Sequence, residues 1–342
     1  MKIALVGTGT IAEKNHLPIL FSLPDVEVTA ICDNNEKRLS RVAEKFKIKN
    51  KFKEVDEMLK STDLDIVDIT TPGFTHYEIT KKVLESNVNV LVEKPATLKT
   101  KEAEELAQEC DKRNLKLGVC QAYRYSEPVI QLQKIRERGG IGTIDRIISI
   151  QHGSTIFAMP PWFWDEQTSG GVLFEFGVHA VDLQCYLMGP WKKVIDININ
   201  YDKSVDFITS ILATVQYETG IGVFDLKWLS SSSFMHQYVS GSVADAILKF
   251  FPDGFVLQRG DFSPLSECKA EIRRLWNFGY SSFRKRYYKK SEMPHRIIIE
   301  NFINSVSSDN QPLVPMKEVI PTIGLLEQIW GKAMIVKQSD KV

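Results

Sequence analysis

The chain has 342 residues, 43 basic against 43 acidic side chains and 43% hydrophobic residues, the composition of a neutral globular protein. That balance gives no broad basic footprint for nucleic acid and no positive surface for an anionic membrane, so neither is expected as a partner. The length exceeds what a single core fills, and two domains are expected.

In chain order, residues 2 to 121 alternate short β-branched runs with helical patterns. "KIALVG" precedes a helix from Ile11, "VEVTAICD" precedes "NEKRLSRVAEKF", "DIVDITT" precedes "THYEITKKVLES", "VNVLVEK" precedes "TKEAEELAQECDKRN", and "LKLGVCQ" closes the series. Strands alternating with helices predict a parallel, doubly wound sheet covered on both faces. From Ile144 onward the runs lengthen ("IDRIISIQHGSTIF", "KKVIDININY", "FITSILATVQYETGIGVFDLKWL", "DAILKFF"), with turn signals at Glu218 to Gly220 and Pro252 to Gly254. These predict an α+β domain on a large, mostly antiparallel open sheet. The expected division is 1–121 and 122–342, with the last helix packing back toward the junction.

Five scattered cysteines (Cys32, Cys110, Cys120, Cys185, Cys268) show neither paired nor metal-like spacing and read as reduced thiols. The apolar run Ile3 to Val6 is too short for a secretory signal, and no later run approaches membrane-spanning length, so a cytoplasmic protein is expected.

"LVGTGTIAEKN" sets Gly7, Gly9 and Ala12 in a G-x-G-x-x-A pattern between a strand and a helix, with Thr8, Thr10 and Ile11 completing the loop. The first glycine permits the turn, the second admits a pyrophosphate, and the small third residue lets the helix pack closely. Asp33 ends the next strand, where a carboxylate accepts from ribose hydroxyls and repels a 2′-phosphate, which favours NAD over NADP. The competing reading of Asp33 is a helix cap, and Lys37 and Arg38 nearby leave partial NADP use open.

Lys94 in "VEKPATL" ends an apolar strand, and Pro95 directs it away from the sheet. Thr71, Pro72 and His76 of "TTPGFTH", with Glu93, are expected along the same ligand-binding edge. A second cluster lies in "SGGVLFEFGVHAVDLQCYLMG". If Gly171 to Leu187 is one helix, Glu175, His179 and Asp182 share a face. A metal there is disfavoured, because no second histidine is near.

"GTGTIA", "TPGFTH", "EKP", "GGVLFEFGVHAVD" and "RIIIENFINSV" with "QPLVPMKE" occur in an order that resembles the glucose-fructose oxidoreductase, inositol dehydrogenase and MocA family. The resemblance implies an N-terminal Rossmann domain, a C-terminal open sheet, and a homodimer or homotetramer built through that sheet. It identifies Lys94 as the active-site lysine and His179 as the usual catalytic histidine, and places a glutamate, Glu175, where the family typically has aspartate. The expectation is an NAD-dependent dehydrogenase acting on a secondary alcohol of a sugar, sugar derivative or cyclic polyol, with His179 as base and Lys94 as electrostatic stabiliser or the reverse. An NAD-binding ligand sensor is the competing class.

Tyr123 and Trp164 are candidate substrate contacts. Arg124 competes as a structural partner of a carboxylate, and Trp164 as core packing. The segment Glu271 to Arg296 interleaves basic and aromatic residues. It reads as a surface insertion or subunit contact, or as a holder for the anionic handle of a nucleotide sugar.

Overall fold

The structure, a computed structural model, describes residues 1–154, 159–203, 206–250, 253–258 and 294–339. The chain divides into two compact units, 1–122 with 294–323, and 123–293 with 324–342.

In the first unit, β1 (Lys2–Val6) leads through a π-helical turn (Ala12–His16) into α1 (Leu17–Leu20). There follow β2 (Glu27–Cys32), α2 (Glu36–Phe46), β3 (Asn50–Phe52), α3 (Val55–Ser61), β4 (Ile66–Ile69), α4 (His76–Glu85), β5 (Asn89–Val92), α5 (Thr100–Lys112) and β6 (Leu117–Val119). The strands form a parallel sheet in the order β3-β2-β1-β4-β5-β6. Its central strands are apolar runs, interrupted in β4 by the buried Asp68, because helices cover both faces. The order reverses between β1 and β4, and a crevice at such a switch point opens beyond the carboxyl ends of the strands. The register pairs Val6 with Cys32 and Ile69, and Val92 with Ile69 and Val119. The next residues, Asp33, Gly7, Thr70, Glu93 and Cys120, therefore fall in one row along that edge. The edge strand β3 is short and lacks apolar alternation, so periodicity does not reveal it.

In the second unit, α6 (Glu127–Glu137), β7 (Ile144–Gly153), α7 (Pro161–Trp164) and α8 (Glu166–Ser169) precede a π-helical turn (Leu173–Gly177) that continues into α9 (Val178–Met188). Strands β8 (Trp191–Asp202), β9 (Phe207–Tyr217), β10 (Ile221–Trp228), β11 (Phe234–Gly241), β12 (Asp245–Phe250) and β13 (Asp253–Gln258) join β7 in the order β13-β12-β11-β7-β10-β9-β8. Every pairing is antiparallel except β7 with β10. One face is buried beneath α9, where the Gln184 amide donates to Ser149 Oγ and to the Val223 carbonyl. The other face exposes Leu212, Ile221 and Tyr238.

The expected continuous second domain is interrupted, because α10 (Pro294–Ser308) packs with the first unit. Its buried Phe302 ring lies over Gly118 of β6, where a Cβ would come within 2.5 Å of the ring. The following chain bonds β6, with the Val119 N–H donating to Val314 O at 2.9 Å. Helix α11 (Met316–Ser339) begins in the first unit and passes into the second at Gly324. Contrary to the expectation from apolar runs, this helix is long and apolar enough to cross a membrane by length and composition. It contributes Val319, Leu325, Leu326, Ile329 and Ala333 to the cores, and its buried Lys337 pairs with Glu166, as suits a core helix.

Candidate functional site

Gly7 has φ +92°, and a Cβ there would lie 2.8 Å from the Thr70 and Thr71 backbone, so only glycine fits. At Gly9 the space where a Cβ would project is open to 4 Å, and Ala12 is fully buried under the helix. Turn, open approach and close helix packing fit a dinucleotide phosphate.

Asp33 is buried and densely bonded. Its Oδ2 accepts from Thr8 N–H (2.7 Å), Thr8 Oγ1 (2.8 Å) and Arg38 Nε (2.9 Å), and its Oδ1 from Arg38 Nη2 and Asn35 N–H (both 2.8 Å). Burial raises the acid's pKa, but Arg38 and Thr8 outweigh it and hold the carboxyl below its ordinary range. Asn35, rather than Asp33, caps α2 by accepting from the Arg38 N–H. The carboxylate expected to stand open for a ribose is thus covered by a half-exposed guanidinium.

At the ends of β4 and β5, His76 is fully buried, with Nδ1 2.7 Å from Pro95 O and Nε2 2.7 Å from Thr71 O. The ring bridges the two loops and fixes their spacing, while Thr75 Oγ1 donates to Pro72 O within the first loop. Thr71, Pro72 and Lys94 are partly exposed along this edge, and the Lys94-Pro95 bond is cis. Glu93 is buried and meets His16 and His295, with Asp68 beyond His16. The sequence reading missed these three residues. The available signal was Asp68, a carboxylate inside the buried parallel strand "DIVDIT", where a charge requires a partner.

In the second unit, the Tyr123 ring, in the turn Ala122–Tyr125, lies 4.2 Å from the His179 ring, centroid to centroid, and 5.5 Å from Phe250. Burial, then Asp253, pushes the Tyr123 phenol up. Arg124 forms a bidentate pair with Asp182 (2.8 and 2.7 Å), both buried, and stacks on Tyr186. Asp182 is thus engaged by Arg124, next in sequence to the Tyr123 that lies against His179. Glu175 sits in the wider π-helical turn and His179 in the first turn of α9, so the single regular helix expected over Gly171 to Leu187 is replaced by two windings. Gly170 precedes them with φ +71°, where a Cβ would lie 2.5 Å from Phe174. Trp164, partly exposed, packs against Phe163 and Phe207. Residues 271–293 of the basic-aromatic segment lie outside the described residues.

Residues 1–121 match the family described as an oxidoreductase family with an NAD-binding Rossmann fold, and residues 129–243 match the GFO/IDH/MocA C-terminal domain. The chain is similar to D-glucoside 3-dehydrogenase of Escherichia coli (strain K12), 28% identical over 194 residues, covering 55% of this chain and 54% of that one. It is also similar to scyllo-inositol 2-dehydrogenase (NADP(+)) of Bacillus subtilis (strain 168), 25% identical over 194 residues, 57% of this chain and 53% of that one. The chain thus spans about half the length of these curated relatives. Among solved structures, the WlbA dehydrogenase from Bordetella pertussis in complex with NADH and UDP-GlcNAcA shares the fold, with a TM-score of 0.83 at 19% identity over 98% of this chain and 95% of that one.

Proposed function

This chain belongs to the GFO/IDH/MocA oxidoreductase family, and from that premise we propose that it is an NAD(H)-dependent dehydrogenase acting on a secondary alcohol of a sugar, sugar derivative or cyclic polyol. The observation that carries the reading is the row of strand ends Asp33, Gly7, Thr70 and Glu93, which leads to Lys94 along the edge that fits a dinucleotide. The relatives named for glucoside and inositol dehydrogenation support the substrate class. A bound nicotinamide supplies a hydride acceptor. For that chemistry Lys94 is a cation suited to steady an alkoxide, and His179 is an imidazole suited to accept a hydroxyl proton. The Tyr123 face against His179 limits the imidazole's orientation, and Glu175 one turn earlier contributes a carboxylate to substrate or histidine.

NAD is the favoured cofactor, since a carboxylate ends β2. Arg38 tempers that preference, because its guanidinium must leave Asp33 before ribose hydroxyls bond there, and once released it suits a 2′-phosphate. Replacing Arg38 by Ala is expected to weaken NADPH binding more than NADH binding in fluorescence titrations. Equal losses would remove Arg38 from cofactor discrimination.

We place the protein in the cytoplasm as a homodimer or homotetramer through the open sheet face. Leu212, Ile221 and Tyr238, 39–49% exposed there, support that surface. Light scattering of Leu212→Glu checks it.

The central test follows nicotinamide absorbance over a panel of free sugars, inositols and UDP-linked sugars. Lys94→Ala and His179→Ala should each lower kcat by about 10²- to 10⁴-fold while NADH still binds. Tight NADH binding without turnover on any alcohol would favour the sensor instead.

A further inference from the structure

Glu93 ends the strand immediately before Lys94, and its buried carboxylate is held from three directions. Oε1 lies 3.0 Å from His16 Nε2 and 3.5 Å from His295 Nε2, and Oε2 accepts the Lys94 N–H at 3.1 Å. His16 is fully buried, and its Nδ1 lies 2.7 Å from Asp68 Oδ2. An imidazole between two carboxylates satisfies both only when both nitrogens carry protons. Burial opposes that charge, but Asp68 and Glu93 outweigh it and raise the His16 pKa to about 10. Burial likewise opposes an ionised Glu93, and His16 and His295 reverse it, leaving the acid well below its ordinary range.

His295 comes from α10, two hundred residues along the chain from Glu93. Asn15 Nδ2 lies 3.2 Å from His295 Nδ1. With the amide donating to that nitrogen, the ring's proton sits on Nε2 and faces Glu93.

We propose that His16 and His295 clamp Glu93 and so fix the strand end that presents Lys94, which makes His295 a positioning residue delivered by the chain's return to the first unit. The inference rests on Lys94 being the site lysine of the proposed dehydrogenase.

A metal centre is the rival use of this cluster, since His16, Glu93 and Cys120 offer ligand atoms within 4.8 Å of one another. The structure favours the clamp. Both His16 nitrogens are committed to carboxylates, and burial, with Glu93 and Asp68, keeps the Cys120 thiol protonated by pushing it well above its ordinary range.

The test compares His295→Gln, which keeps an N–H donor, with His295→Leu, which keeps bulk but no donor, in the full chain. The first readout is the rate at which an amine-directed acylating reagent modifies Lys94, measured by peptide mass spectrometry against exposed Lys192. The second is kcat on the best alcohol of the panel, with the Kd for NADH. The leucine variant should change relative Lys94 labelling several-fold and lower kcat by about 10- to 100-fold at nearly unchanged NADH affinity, whereas the glutamine variant stays within about twofold of wild type. Asn15→Ala, which frees the His295 tautomer, should shift labelling in the same direction by less, and it decides the question if the leucine variant does not fold. Equal behaviour of the glutamine and leucine variants, or wild-type labelling in both leucine and Asn15 variants, overturns the clamp. So does stoichiometric metal in purified protein that Cys120→Ser abolishes. Absence of turnover on every alcohol defeats the dehydrogenase reading alone, because labelling still reports the clamp.

Discussion

The two units hold their candidate site residues by different physics. At the strand ends of the first, Glu93 and the loop bearing Lys94 are fixed by histidines set against carboxylates and carbonyls, groups whose charge changes with pH. In the second, His179 lies against the Tyr123 ring, while Asp182 of the same helix is held by Arg124, whose guanidinium stays charged at every accessible pH. The His16–Glu93 contacts are therefore adjustable by protons across the neutral and alkaline range, and the Arg124–Asp182 pair is not. A stability profile against pH should contain a component from the His16 cluster that the Arg124–Asp182 pair does not contribute.

The largest effect tests the second half of that comparison. Asp182→Ala removes the carboxylate paired with buried Arg124, and should cost about 3–5 kcal/mol in urea unfolding with little variation between pH 6 and 9. A strongly pH-dependent cost would show that Arg124 is not the invariant anchor.

Next in size is the His16 contribution. Its folded pKa, about 10, stands above the unfolded value, so its stabilisation is complete below about pH 6.5 and is lost as pH rises through 10. Wild type should therefore lose up to a few kcal/mol over that window, and His16→Gln should be flatter. Glu93, with its pKa depressed, contributes in the opposite sense, present above its unfolded pKa near 4.5 and lost as pH falls toward the folded one. Identical slopes in wild type and His16→Gln would remove the charge from the account of this edge.

The smallest effect sharpens the role of Tyr123. Tyr123→Phe keeps the ring against His179 and should change stability by less than about 1 kcal/mol, while Tyr123→Leu loses the stack and about 1 kcal/mol more. Thermal melts at one pH compare them. Equal losses would assign the contribution to the phenol instead.

Much of this was legible in the sequence because it depends on local pattern. Alternating apolar runs and helical periods specified the parallel sheet, and the Gly7, Gly9, Ala12 spacing specified the phosphate turn, since each follows from steric demands on a few neighbouring residues. The antiparallel character of the second sheet was equally visible in its long alternating strands. The chain could also show that Arg124 and Asp182 carry charge, and that one of them needed a partner.

What the sequence alone did not decide are meetings between distant residues. His16, Asp68, Glu93 and His295 span nearly the whole chain, and only the parallel register and the return of α10 bring them onto one carboxylate. The covering of Asp33 by Arg38 and the pairing of Asp182 with Arg124 are choices among partners that spacing leaves equally available. Burial settles them, because a charge removed from water must take the counter-charge that packing places within reach.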